Sequence, residues 1–372
     1  MFIAYTGKPP HKLSLRGQYA FAELVSATRR LQIPFFILPK SFALAGKREH
    51  FFRANKVGSS EGTWQHTVEK MTRAVVYDAM YLQDIKVVRK ERKRFFAELA
   101  KSKMPFFNPT LPAKNTLIEL LSIHPETKPL IPISCELQDS GQVLAQLDVV
   151  PRLWVKPIYG SGGRNIVHIA NEGYGRYQVT AENLVDKPLH VNMNASDLSQ
   201  LISTMRAWRP FFLQEHIELP RIDGRVVDFR VTIQRGLTGA WDITAVTARF
   251  GPVDSLWTNF HVGGNILSLT EPGLSEFSLL EPLGINEKEL AQIHLLALQT
   301  GAALEPHFPL LSVLGIDIGR DVFGKYHVYD CNSRPGRDIL TDAEVSSFMS
   351  AIAGFAAHLL QTYGSDAWYS NR

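Results

Sequence analysis

Two short apolar stretches late in the chain carry carboxylates where a strand interior would place them. They are Gly315-Ile316-Asp317-Ile318 and Tyr329-Asp330-Cys331-Asn332-Ser333-Arg334-Pro335-Gly336. An aspartate inside an apolar strand is costly unless it is paired or holds a metal. The two-residue period of a strand puts Asp330 and Asn332 on one face and Cys331 on the other, where a thiol packs. If the two stretches are neighbouring strands, Asp317 joins Asp330 and Asn332. Two carboxylates and an amide then converge as hard oxygen donors, the type Mg²⁺ requires. A plain salt-bridged pair is the competing reading.

Upstream, Val155 and Lys156 close a strand, and the glycine loop Gly160-Ser161-Gly162-Gly163 follows. Glycines let backbone N–H groups crowd an anion without interference from a Cβ. The loop is not a Walker A sequence, because no Gly-Lys-Ser/Thr ends it and a strand follows. It reads as a hairpin turn or as a phosphate cradle, and the adjacent Lys156 favours the cradle. Phe212-Leu213-Gln214-Glu215-His216-Ile217 is an apolar strand that turns polar at its end. It either reaches solvent or offers backbone amides to an adenine edge and a carboxylate to a ribose. Asp228-Phe229-Arg230 puts Asp228 and Arg230 on one strand face. The pair is either a surface ion pair or a site where Arg230 meets a transferring phosphoryl group. Asn259 to Gly264, with Gly263 and Gly264 beside polar residues, is a turn or a pocket lining.

The 372 residues predict two or three packed units. With 45% hydrophobic and 20% charged residues the composition is globular. A net charge of +4 suits an anionic small molecule and does not argue for nucleic acid. The basic run 85–103 reads as a solvated helix face, with no interleaved aromatics for base stacking. Cys135 and Cys331 supply no disulfide framework. No basic n-region and apolar h-region open the chain, and no stretch approaches a membrane span. A cytoplasmic protein is expected.

Residues 1–107 read as an α/β unit. Strands at 1–5, 33–38 and 74–77 and a helix at 15–31 predict a parallel sheet. Residues 108–150 read as proline-rich loops around one helix at 115–122. Further helices are expected at 196–208, 286–303 and 341–362, and strands at 211–214, 228–233 and 241–250.

Taken in order, these pieces resemble the ATP-grasp superfamily over roughly residues 105–340. Ala113-Lys114-Asn115, followed by Pro125-Glu126-Thr127, is similar to the first ATP lysine and its Pro-x-Thr turn. Lys156 with the glycine loop is similar to the second lysine and the phosphate lid. Gln214 to Ile217 and Asp228-Phe229-Arg230 resemble the adenine hinge and phosphate arginine. Asn259 to Gly264 resembles the Asn-rich Gly-Gly turn. Asp317, Asp330, Asn332 and Pro335-Gly336 resemble the Mg²⁺ ligands and the Asn-x-x-Pro-Gly signature. The whole-chain pattern most resembles the YheC/YheD group of endospore coat-associated proteins. It departs at Asp330, where glutamate is more usual, and at Cys331, where an aliphatic is usual.

The resemblance implies a mixed α/β and α+β chain. An N-terminal Rossmann-like, pre-ATP-grasp domain (1–107) would precede an ATP-grasp domain (108–372), with a lid at about 148–212. It implies ATP and Mg²⁺ as cofactors, held by Lys114, Lys156, the glycine loop, Gln214 to Ile217 and the three oxygen ligands. Lys156 and Arg230 would act in catalysis. Asn259, Gly263, Gly264, Arg334 and Arg337 are candidates for substrate contact. The implied activity is a carboxylate–amine ligase working through an acyl phosphate. An ATP-binding coat scaffold and a kinase on the same fold stay open. Spore-coat proteins and a homodimer are the expected macromolecular partners, and a spore-coat location comes from the resemblance alone.

Overall fold

The computed structural model describes residues 1–39, 49–54, 64–69, 74–80, 85, 87, 89–160, 163–258, 264–271 and 273–362. Three sheets organise it. The first has strand order β4-β3-β2-β1-β5-β6, with β1 Phe2–Thr6, β2 Phe35–Pro39, β3 Glu49–Ala54, β4 Trp64–Glu69, β5 Val75–Asp78 and β6 Phe106–Phe107. β1, β2, β5 and β6 are parallel, as helix-between-strand spacing predicts. The antiparallel β3–β4 pair at the edge was not foreseen. Helix α1 (Leu15–Arg30) starts where the Ser14 hydroxyl accepts from Gly17 N at 3.2 Å. It buries Phe21, Leu24 and Val25 on one stripe. Helix α2 (Arg89–Lys101) turns Phe95, Phe96 and Leu99 inward and leaves most of its basic residues outside.

The second sheet runs β11-β10-β9-β8-β12-β7: β7 Ser134–Glu136, β8 Arg152–Pro157, β9 Val167–Gly173, β10 Arg176–Leu184, β11 Lys187–Asn194 and β12 Phe211–Glu215. Its apolar face carries Leu153, Val155, Val167, Ile169, Val179 and Leu213. That face packs with residues of helices α4 (Ser140–Val149) and α5 (Ala195–Trp208). Asp139 caps α4 by accepting from Gln142 N at 2.8 Å. This helix lies where loops were expected. Helix α3 (Lys114–Ile123) precedes the sheet.

The third sheet runs β16-β15-β14-β17-β18: β14 Arg225–Arg235, β15 Trp241–Phe250, β16 Asn265–Ser268, β17 Val313–Arg320 and β18 Tyr326–Asn332. The short β13 (Arg221–Ile222) pairs with β14. One face is a continuous core of Val227, Phe229, Val231, Val246, Ala248, Ile316, Ile318, Val328 and Cys331, closed by residues of α7 (Glu287–Leu304). Cys331 is in that core, as its alternation predicts. Helix α6 (Leu274–Leu280) leads into α7.

Helix α8 (Asp342–Thr362) ties the ends of the chain together. Phe348, Ile352 and Phe355 share one core with Phe21, Leu24 and Phe107 of the N-terminal unit. Against the expectation that no stretch approaches a membrane span, the α8 helix is long and apolar enough, by length and composition only, to cross one. Here both flanks are packed against protein. Gln234 Nε2 on β14 also donates to Phe348 O at 3.2 Å. Burial on two sides gives a helix apolar nearly all round.

Candidate nucleotide and metal site

Register places the functional side chains. On the third sheet Arg230 pairs with Asp317, Asp317 with Asp330, Gly315 with Asn332 and Asp228 with Arg249. Directly paired residues share a face. Asp228, Arg230, Arg249, Asp317, Asp330 and Asn332 therefore form one polar face, opposite the apolar core. The register then slips, so that Ile318 opposes Val328 and Tyr329 is the extra residue of a β-bulge. Bulges re-aim side chains, and the Tyr329 hydroxyl donates to Asp228. Gly315 is required here, because a Cβ would come within 2.7 Å of Pro335 Cβ and push away the turn that follows Asn332.

The second sheet presents its own polar face. Trp154 and Lys156 alternate on β8, Trp154 pairs with His168 and Gln214, and Lys156 pairs with Phe212. Lys156 Nζ donates to Gln214 Oε1 and lies 5.7 Å from the Tyr329 ring centroid, across from its own sheet. Lys114, at the first turn of α3, reaches Asp330 Oδ2 at 2.7 Å. The two lysines, 42 positions apart in sequence, therefore meet the β17–β18 acids in one cleft.

The charged groups of the cleft act on one another. Burial pushes the Lys156 ammonium down to about 8; Lys114 adds to the push, and Asp330 and Asp317 oppose it. Burial raises the Asp317 carboxyl, but the Arg230 and Arg249 guanidiniums outweigh that and hold it below the usual range. Arg230 Nε donates to Asp317 Oδ1, and an Arg249 nitrogen lies 3.2 Å from Asp317 Oδ2. Arg249 also grips Asp228 through two bonds, at 2.7 and 2.5 Å. Burial lowers its tendency to stay protonated, while Asp228 and Asp317 raise the guanidinium pKa well above its usual value. Thr258 Oγ1 completes the Asp228 cluster at 2.6 Å.

The donor chemistry fits a magnesium–nucleotide complex. Asp317 is shared by two arginines and Asp330 is paired with Lys114, so these acids present little free negative charge to a bare cation. Among the described residues no group of three or more His, Cys, Asp or Glu stands as a metal cluster. Two carboxylates and an amide are short of the six oxygens Mg²⁺ prefers, and phosphate and water oxygens ordinarily supply the rest.

The remaining expected residues divide. Gly160 and Gly163 lie on the β8–β9 connection, while Ser161 and Gly162 are outside the described residues. Asn259 and Gly263 are also outside them, and Gly264 is buried just before β16. At the hinge, Glu215 N donates to Ile133 O at 2.9 Å, and Glu215 Oε1 accepts from Ile133 N at 2.8 Å. The Glu215 main-chain N–H and carboxylate are thus both engaged by Ile133. His216 packs on Trp154, and Ile217 follows it outside β12.

Arg334, a candidate for substrate contact, has its guanidinium engaged within the protein. Its guanidinium donates to Asp78 Oδ2 at 2.6 Å and to the Asp78, Met80 and Asn108 carbonyls. It ties the third sheet to the first, where Arg92 also pairs with Asp78. Arg337 is buried with its guanidinium 5.9 Å from the Phe348 ring.

The sequence reading missed Arg249, Tyr329, Trp154 and His168. Arg249 was legible as a charge in an otherwise apolar strand, two residues from Thr247. Tyr329 depends on a bulge that alternation alone does not reveal.

Sheets of this order, with their polar faces turned to one cleft, define an ATP-grasp architecture. The chain belongs to the YheC/D-like ATP-grasp family, whose profile matches residues 103–359. It is 24% identical to the endospore coat-associated protein YheD of Bacillus subtilis (strain 168) over 308 residues, 78% of this chain and 65% of that protein. It is 22% identical to YheC of the same organism over 317 residues, 82% and 79% of the two chains. The chain thus spans just under two thirds of YheD. Among solved structures, D-cycloserine synthetase DcsG superposes with a TM-score of 0.53 at 12% identity, covering 96% of this chain and 100% of that one. The ATP-grasp ligase PsnB, complexed with a phosphomimetic variant of its minimal precursor, Mg and ADP, gives 0.52 at 14% identity, covering 94% and 98%. At these identities the likeness is one of fold.

Proposed function

We propose that the protein is an ATP- and Mg²⁺-dependent carboxylate–amine ligase that forms ADP. The carrying observation is the meeting of Lys114, Lys156, Asp317 and Asp330 in one cleft, with Lys114 Nζ 2.7 Å from Asp330. Lys114 and Lys156 would hold the inner phosphates of ATP as point charges. Asp317, Asp330 and Asn332 would hold the metal. Bound there, Mg²⁺ would neutralise the phosphate oxygens and draw them into register.

Arg230 has the task that its placement permits. Its guanidinium lies on the polar face beside Asp317, where a planar fork of donors suits a phosphoryl group in transfer. Transfer to a substrate carboxylate gives an acyl phosphate. Attack by an amine on the activated carbonyl releases phosphate and leaves the new amide. The second sheet, acting as lid, excludes water that would otherwise hydrolyse the acyl phosphate. Arg334 is left out of this scheme, because Asp78 and three carbonyls already occupy it.

The test is to incubate the protein with ATP, Mg²⁺, hydroxylamine and a panel of carboxylic acids. Carboxylate-dependent hydroxamate with stoichiometric ADP and phosphate supports the ligase. ATP-dependent phosphorylation of hydroxyl compounds without hydroxamate shows a kinase. ATP binding without turnover across the panel shows a scaffold.

A further inference from the structure

A cavity of about 390 Å³ lies on the other face of the third sheet from the acids. The register decides which face it uses. Past the bulge, Ile318 pairs with Val328 and Arg320 with Tyr326. Arg320 and Tyr326 therefore continue the core face and point away from Asp317 and Asp330. Helix α7 adds Lys288, Glu289 and Leu296 to the lining, and the 3-10 turn Lys128–Leu130 adds Leu130. Lys325 closes the cavity from the turn between β17 and β18.

The charges here do not balance. Three cations, Lys288, Arg320 and Lys325, line the cavity with one carboxylate, Glu289. Glu289 is already engaged, because its Oε2 accepts from the Tyr326 hydroxyl at 2.5 Å and lies 3.6 Å from Arg320 Nε. Arg320 is held in place, with Nη1 donating to Leu283 O at 2.6 Å and its side chain only 25% exposed. Its Nε is buried without a hydrogen-bond partner. Among the described residues its Nη2 has no hydrogen-bond partner either, and the Lys288 and Lys325 ammonium groups have no ion pair. Gly324, at a φ of +85°, leaves room for this guanidinium, since a Cβ there would stand 3.2 Å from Nη2. Cations gathered in this way repel one another, and an anion offsets the repulsion. The remaining lining is apolar: Leu130, Leu296 and the ring of Tyr326. The volume is that of a small-molecule site and is far more than an inorganic ion fills.

We propose that this cavity binds a small organic dianion, two negative charges on an apolar body. Arg320 anchors the anionic group through its planar fork, Lys288 and Lys325 neutralise it, and Leu130 and Leu296 receive the body. A phosphate monoester and an alkyl dicarboxylate share this chemistry. The site is on the opposite face from Asp317 and Asp330, so it stands or falls independently of the ligase reading.

The test is calorimetry on the full chain at mildly alkaline pH, where a phosphate monoester carries two charges. Phenyl phosphate, suberate, inorganic phosphate and phenol are titrated into wild type, the double variant Lys288→Gln/Lys325→Gln, and Lys114→Met. Circular dichroism confirms that each variant is folded. Wild type is expected to bind phenyl phosphate or suberate at one site, and inorganic phosphate and phenol each more weakly by about tenfold or more. Tighter binding of phenyl phosphate assigns the site to phosphate monoesters, and tighter binding of suberate assigns it to dicarboxylates. The double variant should lose about tenfold or more in affinity for the preferred probe. Lys114→Met, on the other face of the sheet, should stay within about twofold of wild type. Wild type that binds neither organic dianion overturns the proposal. So does a folded double variant with unchanged affinity, or a loss of binding in Lys114→Met, which would put the probe in the nucleotide cleft. Inorganic phosphate bound as tightly as phenyl phosphate would overturn the requirement for an apolar body.

Discussion

Lys156 is held in the cleft at a cost to stability, and replacing it measures that cost. Its ammonium titrates at about 8 instead of 10.5 in the folded protein. At about 1.4 kcal/mol per pH unit, that difference is about 3 kcal/mol of destabilisation at neutral pH. Between pH 8 and 10.5 the unfolded chain binds more protons at this position than the folded one. Stability therefore rises with pH across the window. The penalty is full below about pH 8 and gone above about 10.5. Lys156→Met removes it but leaves Gln214 Oε1 without its donor, which costs about 1–3 kcal/mol. The variant is expected to be more stable than wild type at pH 7 by about 1 kcal/mol, and to lose nucleotide binding. The sharper readout is the pH profile of urea unfolding. The stability difference between the two proteins should shift by about 2–3 kcal/mol in favour of wild type from pH 7.5 to 10. Parallel profiles would mean that Lys156 is not desolvated, and the reasoning about the closed cleft would fail.

Other outcomes follow from the same contacts. Asp330→Ala should reduce Mg²⁺-dependent ATP turnover by about a hundredfold or more, with unfolding changed by about 1 kcal/mol at most, because the residue lies in a cleft; normal turnover would remove Asp330 from the metal set. Arg249→Met strands the buried Asp228 carboxylate and should cost about 3–5 kcal/mol in chemical denaturation. Conservative Arg334→Lys cannot reproduce the fork that reaches Asp78 and three carbonyls. It should loosen the N-terminal unit, seen as faster amide exchange in β5 and β6, with nucleotide affinity within about threefold.

Much of the site was legible because strand alternation is a strong constraint. Asp330, Asn332 and Cys331 fall on the faces that a period of two gives them, and Asp317 comes beside Asp330 by direct pairing. Lys114 and Lys156 were placed by motif resemblance, since nothing local reveals that a helix start and a strand end will meet. What escaped the reading depends on tertiary register. Arg249 joins the acids only because β15 pairs with β14 so that it opposes Asp228. Tyr329 enters the cleft through the bulge. The helix at 140–149 was hidden by surrounding prolines, although Asp139 before Ser140 is a sound capping signal. Arg334 was read as a candidate for substrate contact from its place in the motif alone; its partner Asp78 lies 256 positions away.

The central claim is that two ammonium groups and three oxygen ligands enclose a single Mg²⁺-triphosphate. A crystal structure with a non-hydrolysable ATP analogue and Mg²⁺ tests it most directly. The account predicts the Lys114–Asp330 contact broken, both lysines on phosphate oxygens, and metal density on Asp317, Asp330 and Asn332. Nucleotide bound elsewhere, with Lys114 still on Asp330, would contradict it.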